Sequence, residues 1–279
     1  MKMSTDILSY FKSKLSDLYP KDELESLAFW TIDHVMGLSR SEWLLNVDRC
    51  LTNGEKTDIK EIVRRLSFHE PIQYITEKTH FYGLELTISP YCLIPRPETE
   101  ELVQWVLEEN FKTVLDIGTG SGCIAVALAK HTTANISALD ISKQALQIAH
   151  LNSAKNNVNV TLYEHDIFDS FDNDETYDII VSNPPYVLHK EKEYMKSNVL
   201  KYEPHLALFV DDSDALLYYK RICEFSHEKL NNGGFIFLEI NEQKAAEIQI
   251  LLENYGFSKV LIKRDMQGKN RMVKAQKKL

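Results

Sequence analysis

Past residue 113 the chain alternates short apolar runs of strand character with stretches of helical spacing, and the alternation fails at the last pair of runs. The runs are Val114-Leu115-Asp116, Ile136-Ser137-Ala138-Leu139, Val160-Thr161-Leu162-Tyr163, Ile179-Ile180-Val181, Phe235-Ile236-Phe237-Leu238-Glu239-Ile240, Lys259-Val260-Leu261-Ile262 and Met272-Val273-Lys274-Ala275. Helices are expected over 121–131, 142–156, 214–230 and 242–255. Strand–helix alternation of this kind predicts βαβ units and a parallel, doubly wound sheet. The last two runs are joined only by a short segment containing Gln267-Gly268-Lys269. That is too short for a crossover helix, so the last strand must run antiparallel to its predecessor.

The N-terminal quarter follows a different pattern. Ile7, Leu8, Phe11, Leu15 and Leu18 recur at helical spacing. A second helix is expected from Asp22 to Gly37. A third, with Trp43, Leu44 and Val47, is expected to end near Asn53-Gly54. A fourth begins at Thr57, carries Ile59, Ile62, Val63 and Leu66, and is ended by Pro71. Ile72-Gln73-Tyr74-Ile75 and Leu84-Glu85-Leu86-Thr87-Ile88 read as the two strands of a hairpin. The expected organisation is therefore a helical bundle over 1–72, a β-hairpin linker over 73–95 and an α/β domain over 96–279. His34 and His69 stand alone and read as surface or packing residues.

Two local patterns carry chemistry. The first is the loop Asp116-Ile117-Gly118-Thr119-Gly120-Ser121-Gly122, after the first strand of the alternating region. Glycines here let a backbone approach a ligand and adopt positive φ. The G-x-G-x-G spacing differs from the dinucleotide pattern. Asp140 ends the next strand, where a carboxylate can accept both hydroxyls of a ribose, although Asp140-Ile141-Ser142 also reads as a helix cap. Asp166 follows the third strand and could take an adenine amino group, with Ile167 or Phe168 over the purine face. The second pattern is Asn183-Pro184-Pro185-Tyr186, directly after Tyr177-Asp178-Ile179-Ile180-Val181-Ser182. The Asn183 side chain and the Pro184 backbone offer carbonyl acceptors, and proline contributes no donor. Tyr186 can lie against a planar group. Such a pocket suits a nitrogen whose lone pair is delocalised, and together the two patterns point to methyl transfer from S-adenosylmethionine, with Asn183 close to both cofactor and acceptor.

Charge and composition narrow the partners. A net charge of −9 argues against broad electrostatic capture of nucleic acid. The eight Lys and Arg after residue 258 read as a solvated hairpin edge. No apolar run reaches the length of a membrane span, and the N-terminus lacks a signal-peptide core, so a cytoplasmic enzyme is expected. Cys50, Cys92, Cys123 and Cys223 have neither metal nor redox spacing, and no metal site is expected. Arg96, in Pro95-Arg96-Pro97, reads either as a linker charge or as a border of the active site.

The chain resembles the bacterial release factor glutamine methyltransferase family (PrmC/HemK) over nearly its whole length. The resemblance is carried by Arg64-Arg65 with Glu70-Pro71-Ile72-Gln73-Tyr74-Ile75, by Ile94-Pro95-Arg96-Pro97-Glu98-Thr99-Glu100, and by the glycine loop. Val181-Ser182-Asn183-Pro184-Pro185-Tyr186, Tyr202-Glu203-Pro204-His205-Leu206-Ala207-Leu208, Gly233-Gly234, Glu239, Gln243 and Asp265 complete it. It implies a class I S-adenosylmethionine-dependent methyltransferase: a Rossmann-like seven-stranded sheet with an antiparallel last strand, plus a small helical bundle. It further implies N5-methylation of the glutamine in the Gly-Gly-Gln motif of class I peptide chain release factors. S-adenosylhomocysteine would be the product, and the helical domain would help recognise the release factor. Two positions depart from the family pattern: Glu77, where Gly is frequent, and Ile167, where an aromatic residue is frequent. The rival enzyme class, adenine-N6 methyltransferases of DNA or RNA, shares the tetrapeptide but commonly adds a target-recognition region and a basic cleft. A non-catalytic scaffold is the rival from outside enzymology; the intact loop, Asp140 and Asn183 speak against it.

Overall fold

The computed structural model describes residues 3–45, 49–171 and 173–278. These divide into two compact units, one of residues up to Glu77 joined by Lys196–Tyr202, the other of Lys78–Met195 with Glu203–Leu279.

The first unit contains α1 (Met3–Leu15), α2 (Lys21–Met36), α3 (Arg40–Leu45), α4 (Asn53–Leu66) and α5 (Ile72–Thr76). Ile7, Phe11, Leu15, Leu27, Ile32, Trp43, Ile59, Val63 and Leu66 form its buried centre, as the helical spacing predicts. Leu18 lies beyond the end of α1 and is exposed. Val47, expected on the third helix, lies outside the described residues. Two expectations are corrected here. Asn53-Gly54 opens α4 instead of closing α3, because Thr52 and Glu55 make a reciprocal capping box ahead of the expected start. Ile72-Gln73-Tyr74-Ile75 is one helical turn and not a strand. Pro71 presets its entry, Ile72, Tyr74 and Ile75 are all buried, and the Thr76 hydroxyl donates to Ile72 O while accepting from Trp30 Nε1. A strand would have put Ile72 and Tyr74 on the face opposite Ile75.

The second unit begins with the hairpin β1 (Lys78–Phe81) and β2 (Leu84–Thr87), so its first strand lies later than expected. Then come α6 (Pro97–Val106), β3 (Thr113–Ile117), α7 (Cys123–His131), β4 (Asn135–Asp140), α8 (Lys143–Lys155), β5 (Thr161–Glu164) and β6 (Tyr177–Ser182). A short parallel pair, β7 (Val187–Leu188) and β8 (Phe209–Val210), brackets in sequence α9 (Ser197–Tyr202), which belongs to the first unit, and α10 (His205–Leu208). The chain closes with α11 (Leu217–Lys229), β9 (Leu230–Glu239), α12 (Ala245–Asn254), β10 (Phe257–Arg264) and β11 (Asn270–Lys277). The seven-stranded sheet has the order β10-β11-β9-β6-β3-β4-β5. Only β11 runs against the rest, inserted between β9 and β10 as the short final connection requires.

Strand alternation distributes the core between the two faces. Leu115, Ile117, Ile180, Ile236 and Leu238 pack against Tyr219, Ile222 and Phe225 of α11 and Ile248 and Leu252 of α12. Val114, Ile136, Ile179, Val181 and Phe237 face Leu102, Val103 and Val106 of α6 and Ile124 of α7. The basic stretch lies on the β10–β11 hairpin. Lys274 pairs with Glu109 at 2.7 Å, Lys269 with Glu242 at 3.1 Å, and Lys277 donates to the carbonyls of His227 and Leu230. Among the described residues, no helix is long and apolar enough to cross a membrane.

Candidate active site

The carboxyl ends of the parallel strands β5, β4, β3, β6 and β9 share one edge of the sheet, where open α/β sheets bind ligands. Every site residue expected from sequence lies at or shortly after one of these ends.

In the glycine loop, Gly118, Gly120 and Gly122 all have positive φ, but for different reasons. A Cβ at Gly118 or Gly120 would meet nothing within 4 Å, so the loop's bare backbone borders open space. A Cβ at Gly122 would stand 3.0 Å from Ala149 Cβ and 3.1 Å from its Cα, so this glycine permits α7 to pack on α8. Thr119 and Ser121 are buried. The Thr119 hydroxyl donates to Asp116 Oδ2 at 2.6 Å, and Ser121 O accepts from Asn152 Nδ2 at 2.8 Å. Asn152, unremarked in the sequence, is fully buried and also pairs with both Thr87 N and Thr87 O, joining the loop to β2. Asp116 is fully buried; burial, opposed by the Thr119 hydrogen bond, pushes its carboxyl up to about 7.

Asp140 joins the glycine loop to the start of α8. Oδ2 accepts from Gly120 N and Oδ1 from Ser142 N, each at 2.8 Å, while the Ser142 hydroxyl caps α8 through Ala145 N. Each carboxylate oxygen keeps a lone pair beyond these bonds. Asp166 Oδ1 accepts from Phe168 N at 2.9 Å in a tight turn. The turn sends its two candidate purine contacts in opposite directions. Ile167 is 8% exposed and packs in the core, whereas Phe168 is 43% exposed and edges against Tyr218 at 5.5 Å. Of the two, Phe168 alone offers appreciable surface to a ligand.

Asn183 and Tyr186 meet two groups that the sequence reading left without a role. Asn183 Nδ2 donates to Thr99 Oγ1 at 3.2 Å. The Thr99 hydroxyl donates to Glu239 Oε2 at 2.6 Å, and the Tyr186 hydroxyl donates to Glu239 Oε1 at 2.9 Å. Thr99 and Glu239 are each 1% exposed. Burial raises the Glu239 carboxyl, against the Thr99 and Tyr186 hydrogen bonds and the Arg271 charge. Burial and the Glu239 charge hold the Tyr186 phenol well above its ordinary value. Asn183 Oδ1 and Pro184 O make no hydrogen bond among the described residues. The segment around Thr99 is anchored residue by residue. Arg96 pairs with Glu203 at 2.7 Å, and the buried Glu203 also accepts from Ile94 N. Pro97 opens α6, Glu100 accepts from Tyr82 N, and Glu101 from Met266 N. Arg96 is thus an ion-paired anchor of the segment that delivers Thr99. A signal for this existed in the sequence: Thr99 and Glu239 both fell within the recognised motifs, but 140 residues apart.

A doubly wound sheet of this strand order, with a glycine loop after its first parallel strand and Asn-Pro-Pro-Tyr after its fourth, defines a class I methyltransferase. The methyltransferase small domain family matches residues 97–202, and the PrmC N-terminal domain family matches residues 6–76. The chain belongs to the release factor glutamine methyltransferase family. It is 42% identical over 272 residues to the release factor glutamine methyltransferase of Flavobacterium psychrophilum, covering 95% of each chain. With that of Bacteroides thetaiotaomicron it is 39% identical, over 97% of this chain and 99% of the other. Solved structures share the fold at lower identity. A methyltransferase from Pyrococcus furiosus is 22% identical with a TM-score of 0.54, over 71% of this chain and 90% of its own. The METTL16 methyltransferase domain is 21% identical with a TM-score of 0.53, over 70% and 89%.

Proposed function

We propose that this methyltransferase acts on the side-chain amide nitrogen, N5, of the glutamine in the Gly-Gly-Gln motif of class I peptide chain release factors, with S-adenosylmethionine as donor and S-adenosylhomocysteine as product. The observation that carries this reading is the Asn183 side chain, whose NH2 is engaged by Thr99 and whose carbonyl is left for a donor. Similarity along nearly the whole chain to release factor glutamine methyltransferases supports the substrate. A reaction confined to a protein substrate agrees with the net charge of −9, which gives no basic surplus for nucleic acid.

The residues fit the cofactor. Gly118 and Gly120 border open space, Asp140 keeps acceptor capacity for ribose hydroxyls, Asp166 keeps an oxygen for an amino group, and Phe168 presents a ring. When bound, S-adenosylmethionine supplies a methyl group carried on a sulfonium and leaves as the neutral thioether. The protein's part is positioning. Asn183 Oδ1 and Pro184 O accept the two N–H groups of the substrate amide and favour a pyramidal nitrogen, whose lone pair is then directed at the methyl carbon. The alkylated amide loses its excess proton to water without a strong base. Glu239 is not that base, since both its oxygens already accept hydroxyl protons and it is buried.

Incubation of the purified chain with S-adenosylmethionine and a release factor, followed by peptide mass spectrometry, should find one methyl on the Gly-Gly-Gln glutamine and none on duplex DNA or RNA. Methylated adenine with an untouched release factor would transfer the assignment to the nucleic-acid enzymes.

A further inference from the structure

We infer that Thr99 and Glu239 decide which way the Asn183 amide faces, and thereby make Asn183 an acceptor toward its substrate. The inference rests on the substrate role proposed for Asn183. A primary amide presents a carbonyl on one side and an NH2 on the other, and the two are nearly the same size. The substrate nitrogen brings two N–H donors. Only the carbonyl orientation of Asn183 binds it; the flipped side chain sets donor against donor.

The hydrogen-bond chain fixes this orientation. A threonine hydroxyl either donates or accepts toward a given neighbour. The Thr99 proton is committed, because its oxygen lies 2.6 Å from Glu239 Oε2 and a carboxylate only accepts. Toward Asn183, Thr99 therefore shows a lone pair, which takes the NH2 at 3.2 Å and turns the carbonyl away. The other side of Glu239 is occupied by the Tyr186 hydroxyl, which donates to Oε1 at 2.9 Å, so both oxygens receive a hydroxyl proton; burial raises the carboxyl, and these two hydrogen bonds and the Arg271 charge oppose it. All donation along the chain runs toward one carboxylate, from Tyr186 on one side and from Asn183 through Thr99 on the other. Burying a charge at a strand end is costly, and packing alone would be served as well by an apolar side chain. Thr99 and Glu239 are positioning residues: they act through Asn183.

Replacing Glu239 by the isosteric glutamine does more than remove a charge. Gln Oε1 can still accept from Tyr186, but Nε2 then donates to Thr99. The Thr99 proton is released toward Asn183, which satisfies it by flipping and presents NH2 to the substrate. Thr99→Val, of nearly the same shape, leaves the Asn183 amide without its anchor.

The test uses the full chain and intact release factor, with single-turnover methylation at saturating substrate and calorimetric S-adenosylmethionine binding. Thr99→Val and Glu239→Gln should each slow the single-turnover step about ten- to a hundredfold, with cofactor Kd within about twofold of the parent. Thr99→Ser, which keeps the hydroxyl, should restore the rate to within about threefold. The pair Thr99→Val and Thr99→Ser carries the test if Glu239→Gln fails to fold. Should Asn183→Ala be inactive while Thr99→Val keeps the parental rate, or should Thr99→Ser be as slow as Thr99→Val, the orienting role is overturned. An Asn183→Ala variant with the parental rate would instead remove the substrate role on which the inference stands.

Discussion

At the scale of single residues, the candidate site shows how one residue type serves different ends. Gly118 and Gly120 keep backbone bare beside open space, whereas Gly122 gives room for α8, since a Cβ there would stand 3.0 Å from Ala149 Cβ. Asp140 and Asp116 sit in the same loop region yet differ in exposure and task. Asp140 holds two backbone N–H groups and retains acceptor capacity, while Asp116 is fully buried and braces Thr119. Burial lifts the Asp116 carboxyl from its ordinary 3.8 to about 7, so the folded state binds its proton more tightly than the unfolded chain does. The stability this contributes is complete below the ordinary carboxylate range and is lost as pH rises through about 7. Asp116→Asn removes the titration. Urea unfolding across this window should show the variant gaining on the parent as pH rises, by on the order of 4 kcal/mol at most. Parallel curves would mean that Asp116 does not take up its proton in this range.

At the scale of elements, the departures from expectation were local and have local causes. The start of α4 was set by a capping box, which outranks the Asn-Gly pair that reads as a break. The turn α5 reads as a strand in the sequence because five residues hold too little periodicity to separate the two patterns; its burial is decided by partners such as Trp30, distant in sequence. The turn ends at Glu77, which is exposed and adopts φ 53°, ψ 29°, the left-handed geometry that glycine adopts without strain. This gives a physical reason for the glycine frequent there in the family. Glu77→Gly should stabilise the protein by about 0.5–1 kcal/mol, the relief of the left-handed strain less the added freedom of the unfolded chain. A lowered midpoint in urea would show that position 77 does not take this conformation in solution. By contrast, the strands of the large sheet were legible because each combines an apolar run with a flanking turn. The antiparallel β11 was legible because the length of a connection limits where the chain can go.

At the scale of the whole molecule, the helical unit contains none of the residues proposed to bind cofactor or substrate amide. Its proposed task is recognition of the release factor. If so, a chain lacking residues 1–77 should still bind S-adenosylmethionine, and should lose far more activity on the intact release factor than on a short Gly-Gly-Gln peptide. Only the intact protein has remote contacts whose binding energy can orient its glutamine. Equal losses on peptide and protein would assign the unit a structural task instead. What the sequence alone determined is what local pattern and chain connectivity encode: helix or strand by period, a parallel sheet with one reversed strand, a glycine loop, and an acceptor-rich tetrapeptide at a strand end. What only the tertiary structure decided is which groups meet across long separations. Thr99 reaches Glu239 and Asn183 because Pro97 starts α6 where it does, while Arg96 is held by Glu203. Asn152 likewise joins β2 to the glycine loop. A hydrogen bond acts over about 3 Å, and no periodicity in the chain records which distant strand end will supply the partner.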